Sequence, residues 1–137
     1  VLASCAVSKS VISQDTDLTK YKYVTVIDND TYRMPPELVQ HQIQLYDAVG
    51  QSGLTMVSQY RMGDLTQEEQ SALLIAKFGV SARQEETVVT VNFIDFNTDR
   101  PLVSCQGAYT TLGFSANADI KGALRRVGEQ ISKTFNR

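Results

Sequence analysis

Tryptophan is missing from this 137-residue chain, histidine occurs once, cysteine twice and proline three times. Each scarcity removes a class of chemistry. Cys5 and Cys105 lie far apart and form no CxxC or Cys/His cluster, so a structural zinc site lacks its ligands. A disulfide between them would tie a polar terminus to a strand, and free thiols are the expectation. With His41 alone and no GxSxG or HExxH, the marks of nucleophilic hydrolysis and zinc proteolysis are absent. The eight glycines are scattered and build no phosphate-cradling loop. Thirteen basic against fifteen acidic residues leave a formal charge of −2, which provides no positive field to steer the chain onto nucleic acid. No apolar run reaches the roughly 18 residues of a membrane-spanning helix.

What is present describes an ordinary globular domain. At 42% hydrophobic and 20% charged residues the chain is neither disordered nor fibrous. At this length folding removes roughly two-thirds of the unfolded chain's surface from water, so one core suffices without a disulfide or metal.

The start of the chain reads differently from the rest. Leu2-Ala3-Ser4-Cys5 resembles the lipobox of bacterial lipoproteins, in which an aliphatic and two small residues precede a cysteine that is lipidated. Small side chains let the backbone lie extended in a protease groove, as at ordinary signal cleavage sites. The resemblance implies that residues 1–4 are a signal-peptide remnant and that Cys5 is the lipidation site. It also implies a location in the bacterial cell envelope, anchored to the outer membrane and facing the periplasm, since Ala6 rather than aspartate follows the cysteine. Residues 8–20, SKSVISQDTDLTK, are polar without a sustained period, which predicts a flexible tether up to residue 20. Two or more lipid chains hold a protein on a membrane stably, each buried methylene contributing about 0.8 kcal/mol.

From Tyr21 the pattern predicts one α/β domain, on the α+β borderline, spanning 21–137. Tyr21 to Ile27 is aromatic and β-branched, hence a strand. Pro35-Pro36-Glu37 suits a helix start, with Val39, Ile43, Tyr46 and Val49 as its buried stripe and Gly50 or Gly53 as its stop. His41 is offset from that stripe and is expected to face water. A second strand is predicted over Leu54 to Tyr60, parallel to the first through a βαβ crossover. Thr66-Gln67-Glu68-Glu69 is a capping box ahead of Leu73, Leu74, Ile75 and Phe78, predicting a helix that stops at Gly79. Thr87 to Phe96 and Leu102 to Gln106 read as a hairpin around Asn97-Thr98-Asp99-Arg100, with Cys105 packed inside the return strand. Ala118 to Phe135 repeats Ile120, Leu124, Val127, Ile131 and Phe135 at helical spacing, with Lys121, Arg125, Arg126 and Lys133 as a solvated face. The predicted order is β-α-β-α-β-β-α, a mixed sheet of about four strands packed with three helices.

This order, and the stretch from Val89 to Ile131 with Asp95-Phe96-Asn97-Thr98-Asp99, Leu102-Val103, Gly107, Ala118-Asp119-Ile120 and Ala123-Leu124, resembles a small domain shared by bacterial envelope lipoproteins. Among them are the curli-secretion lipoprotein and the lipoprotein activators of penicillin-binding proteins. Asp99 stands where those domains carry glycine after the turn threonine. The chain has no segments for the extra strands of a secretion channel, each of which needs about nine to eleven residues. The resemblance implies a lipid-anchored, noncatalytic module that binds another envelope protein or supports assembly.

The competing expectation is a small-molecule or cation binder, or a carboxylate-based enzyme, using Asp28, Asp30, Asp95 and Asp99. All four fall at strand ends or turns, where aspartate bonds its own backbone. As ligands of a hard cation they lack the further acids and the glycine of a calcium loop, so no metal or cofactor is expected. An unidentified envelope protein and the membrane are the expected partners, and an exposed sheet edge leaves a homodimer open.

Overall fold

In a computed structural model of the chain the structure describes residues 8–82, 86–112 and 114–136. Its centre is the hairpin that the sequence marks most clearly. β4 (Leu73–Ala82), β5 (Thr87–Asp95) and β6 (Pro101–Tyr109) form an antiparallel meander, with Val91 opposite Phe78 on one side and Cys105 on the other. Alternation sorts these strands: Val89, Val91 and Phe93 enter the main core, while Val88, Thr90 and Asn92 between them stay half-exposed on the other face. Two further strands extend the sheet in parallel beside β4. β2 (Tyr23–Val26) pairs with Leu73–Ala76, and β3 (Thr55–Met56) pairs with the start of β2.

The sixth strand lies where the sequence predicts a tether. β1 (Lys9–Ile12) pairs antiparallel with β6, Lys9 opposite Gln106 and Ile12 opposite Val103. Asp17 then caps a short 3-10 turn over Leu18–Lys20. Ladder hydrogen bonds along the open edge of β6 recruit this segment although its side chains are mostly polar; a composition signal does not register such backbone pairing. The sheet therefore has six strands in the order β1-β6-β5-β4-β2-β3, against the four expected.

α3 (Ala116–Phe135) closes the main face. Ser115 caps it, and Ile120, Leu124, Val127, Ile131 and Phe135 are all buried as their spacing predicts. Its close approach depends on Gly107 of β6, where a Cβ would overlap the backbone of Ala123 and Val127. Beside it lies α1 (Gln42–Gly50), which follows a 3-10 turn over Pro36–His41. Gly128 of α3 packs on Ala48 of α1. α3 packs on β5, β6 and β1, and α1 packs on α3, its Leu45, Ala48 and Val49 joining the same core cluster as Val24, Leu74 and Ala76 of the sheet.

Two expectations fail here, each for its own reason. The capping box at Thr66 and Glu69 is formed, but α2 ends after Gln67–Ser71, and Leu73, Leu74, Ile75 and Phe78 belong to β4 instead of a helix. LLIAKF is apolar enough for either state, and pairing with strands on both sides decides for the strand. The stripe expected on α1 holds only at Val49. Leu38, Leu45, Ala48 and Val49 are buried, whereas Val39, Ile43 and Tyr46 are exposed, Ile43 at 76%. Positions 43, 46 and 49 are three apart, and each such step falls about 60° short of a full turn, so they spiral across α1 and only Val49 reaches the core, while Val39 lies before the α-helix in the 3-10 turn that shifts the phase. For the same reason His41 is turned inward and is buried, not solvent-facing. The strand expected over residues 54–60 is reduced to β3, followed by a 3-10 turn over Gln59–Asp64.

Candidate functional site

Of the four aspartates considered as cation ligands, Asp28, Asp95 and Asp99 accept hydrogen bonds at turns or strand ends and Asp30 is exposed. Asp28 accepts from the Met34 amide at 2.9 Å, and Asp30 faces water with Arg33 3.7 Å away. Asp99 adopts φ 59° in the β5–β6 turn and accepts from the Tyr32 hydroxyl at 2.9 Å. That contact raises the Tyr32 pKa. Asp95 is buried; its carboxylate accepts from the amides of Asn97 and Thr98, both at 2.9 Å, and from the hydroxyl of buried Tyr21. Burial opposes ionisation of Asp95 most strongly, but the bonds from Tyr21, Thr98 and Asn97 together outweigh it and lower its pKa. Among the described residues no group of three or more His, Cys, Asp or Glu side chains is placed to hold a metal ion.

The remaining candidates have separate fates. Cys5 and its lipobox-like neighbours lie outside the described residues. Cys105 is a free, fully buried thiol, flanked by Ser10 Oγ at 3.5 Å and Thr134 Oγ1 at 3.7 Å, and burial raises its pKa. Lys121, Arg125 and Lys133 are exposed along a groove of about 520 Å³ between α3 and α1, opposite Asp47. Arg126 is half-buried with its guanidinium 5.4 Å from the Tyr109 ring centre. Asp119, near the start of α3, is buried with one carboxylate oxygen lacking a partner.

What stands out on the surface is apolar. Large hydrophobic side chains remain in water at both lateral edges of the sheet. At one edge β1 exposes Val11 at 60% together with Ile12. At the other, Met56 ends β3 and Tyr60 follows at 87% exposure. On α1, Gln44, Asp47, Ala48 and Gln51 face α3 and Leu45 and Val49 enter the core, while exposed Ile43 lines a pocket with Asn117 and Lys121 of α3; Tyr46 and the preceding Val39 are exposed as well. Leu112 and Phe114, also exposed, lie in the β6–α3 connection.

Charge is spread unevenly over the elements. β1, β6 and α3 carry five cations against Asp119 and Glu129, three of the cations lining the groove beside α1. The elements from the 3-10 turn at Pro36–His41 through α2 carry Glu37, Asp47, Asp64, Glu68 and Glu69 against Arg61. Sequence reasoning misses this site because it assigns Val39, Ile43 and Tyr46 to the core and Val11 and Ile12 to a tether. A legible sign was available: the stretch from Leu38 to Val49 has more apolar positions than one buried helix face can use.

No protein-family model matches the sequence, and no curated protein matches it at a significant level. Solved structures do. PelC from Paraburkholderia phytofirmans, a dodecamer, is similar at a TM-score of 0.52 and 15% identity over 97% of this chain and 99% of that one. A variant PelC dodecamer from the same organism, in a second crystal form, gives the same score and identity over 97% of this chain and 100% of its own. At this identity the likeness establishes a shared fold across essentially the whole length of both chains.

Proposed function

We propose that this protein is a noncatalytic module of the bacterial cell envelope, anchored through lipid on Cys5 and working by assembly with other copies of itself. The observation that carries the reading is the placement of large apolar side chains on both lateral edges of the sheet. Monomeric proteins keep contiguous apolar surface small, and apolar patches bordered by polar residues mark protein contacts. The fold shared with a protein crystallised as a dodecamer supports self-assembly, and the lipobox-like Leu2-Ala3-Ser4-Cys5 supports an outer-membrane anchor facing the periplasm. Asp28 and Asp95 accept from backbone amides and Asp99 accepts from Tyr32, the turn chemistry that their positions suggest.

Fractionation combined with crosslinking in a bacterial host expressing the protein with its own export signal tests both halves. The wild type is expected in the membrane fraction and crosslinked to itself, and Cys5→Ala is expected in the soluble fraction. Retention of Cys5→Ala on the membrane removes the anchor from this reading, and wild type that crosslinks only to other proteins removes self-assembly.

A further inference from the structure

α1 and α3 lie side by side and run in the same direction. Ile43 and Gln44, near the start of α1, share a pocket with Asn117 and Lys121, near the start of α3, whereas Ala48 and Gln51 pack beside Gly128 further along both helices. Their N-terminal ends therefore meet, which brings the positive ends of two helix dipoles together. We infer that the pocket at this junction binds a phosphate group, a ligand that the assembly reading does not involve.

The pocket, of about 450 Å³, is lined by groups that donate hydrogen bonds: the amides of Gln40, Gln42, Gln44 and Asn117, the imidazole of His41 and the ammonium of Lys121. No carboxylate belongs to this lining. Asp47 and Glu129 line the adjoining groove instead, and buried Asp119 lines neither. The junction is also more than a pair of helix ends. His41 is only 4% exposed yet lines the pocket; it stands at the N-cap of α1 without making a capping bond, and among the described residues its imidazole has no hydrogen-bond partner. A buried polar group left in that state is costly unless something supplies a partner. On α3, Ser115 takes the amides of Ala118 and Asp119, which leaves those of Ala116 and Asn117 for an acceptor from outside the helix. A phosphate brings three or more acceptor oxygens to these donors, and helix N-termini and lysine both bind it well. A carboxylate, with two oxygens, would leave more of the donors unanswered. The group can be carried by a soluble compound or by a lipid headgroup, since the recognition chemistry is shared.

Titration of the full unlipidated chain with inorganic phosphate, followed by proton NMR at constant pH and ionic strength with chloride as the control, tests the inference. His41 is the one histidine in the chain, so its ring signals report on the pocket directly. They are expected to shift saturably with phosphate, with a dissociation constant on the order of 1 mM, and to stay in place with chloride. Asn117→Asp puts an acid into the first turn of α3, which favours the helix while repelling the ligand, and is expected to weaken binding by about tenfold or more. Lys133→Ala removes a positive charge from the far end of the neighbouring groove and is expected to bind phosphate as wild type does. Circular dichroism checks that both variants are folded. Flotation with phosphatidylcholine vesicles, with and without phosphatidic acid, separates the two sources. Flotation that requires phosphatidic acid and is lost in Asn117→Asp assigns the site to a lipid headgroup, and saturable binding of inorganic phosphate without flotation assigns it to a soluble compound. Ring signals that do not saturate, or that respond equally in Asn117→Asp, overturn the site. Equal weakening by Asn117→Asp and Lys133→Ala overturns it as well, because a general positive field would then account for the binding.

Discussion

Tyr21 and Asp95 show how one pair joins the two ends of the fold. Tyr21 lies two residues before β2, Asp95 ends β5, and both are buried, so the bond between them fastens the parallel part of the sheet to the hairpin turn. The pH dependence follows from their shifts. Asp95 has a lowered pKa, so its contribution is complete above the unfolded value near pH 4 and falls as pH drops through the folded value. Tyr21 has a raised pKa, chiefly through burial and then the bond to Asp95. Its contribution is complete below the unfolded value near pH 10 and declines above it. Tyr21→Phe is expected to cost about 1.5–3 kcal/mol at pH 7, the loss of a hydrogen bond to a charged group. Urea denaturation at pH 7 and pH 3 checks this. The gap between wild type and variant should shrink at pH 3, and an equal gap at both would show that the carboxylate charge is not involved. Of this pair, the sequence conveys that Asp95 begins a turn; that its second partner is Tyr21, 74 positions away, depends on sheet order.

Among the elements, β1 and α1 depart furthest from expectation. β1 covers Cys105 from one side, and Ser10 ties it to Gln130 of α3 through a 3.2 Å hydrogen bond. The thiol therefore reports on whether this strand is docked. In a Cys5→Ala background, Cys105 is expected to resist a thiol reagent in the native protein, and replacing both Ser10 and Val11 by proline is expected to raise its labelling rate at least tenfold. Proline withdraws ladder donors and is poorly tolerated within paired strands. Rates unchanged by the prolines would mean that β6 and α3 protect the thiol without β1. α1 illustrates a different limit. Its sequence contains two candidate apolar faces, and only the position of the sheet determines which becomes core. Local chemistry is more dependable at the ends of elements: the Thr66–Glu69 capping box forms with bonds of 2.8 and 3.1 Å, although the helix it starts is one turn long.

At the scale of the whole molecule, folding and association are linked. A species that associates only when native gains stability as its concentration rises. The midpoint of thermal unfolding is expected to increase by several degrees between 1 and 100 μM. Differential scanning calorimetry over that range checks it, and a constant wild-type midpoint would contradict linked assembly. The sequence by itself determines the β5–β6 hairpin, the closing helix with its buried stripe, the burial of Cys105 and the turn chemistry of the aspartates. All of these depend on neighbours within a few residues or on one unambiguous period. Only the tertiary structure decides that residues 9–12 and 73–82 are strands, that Val39, Ile43 and Tyr46 face outward, and that His41 faces inward. Periodicity records which side chains are able to share a face; which face meets the core is set by the neighbours that folding brings to it.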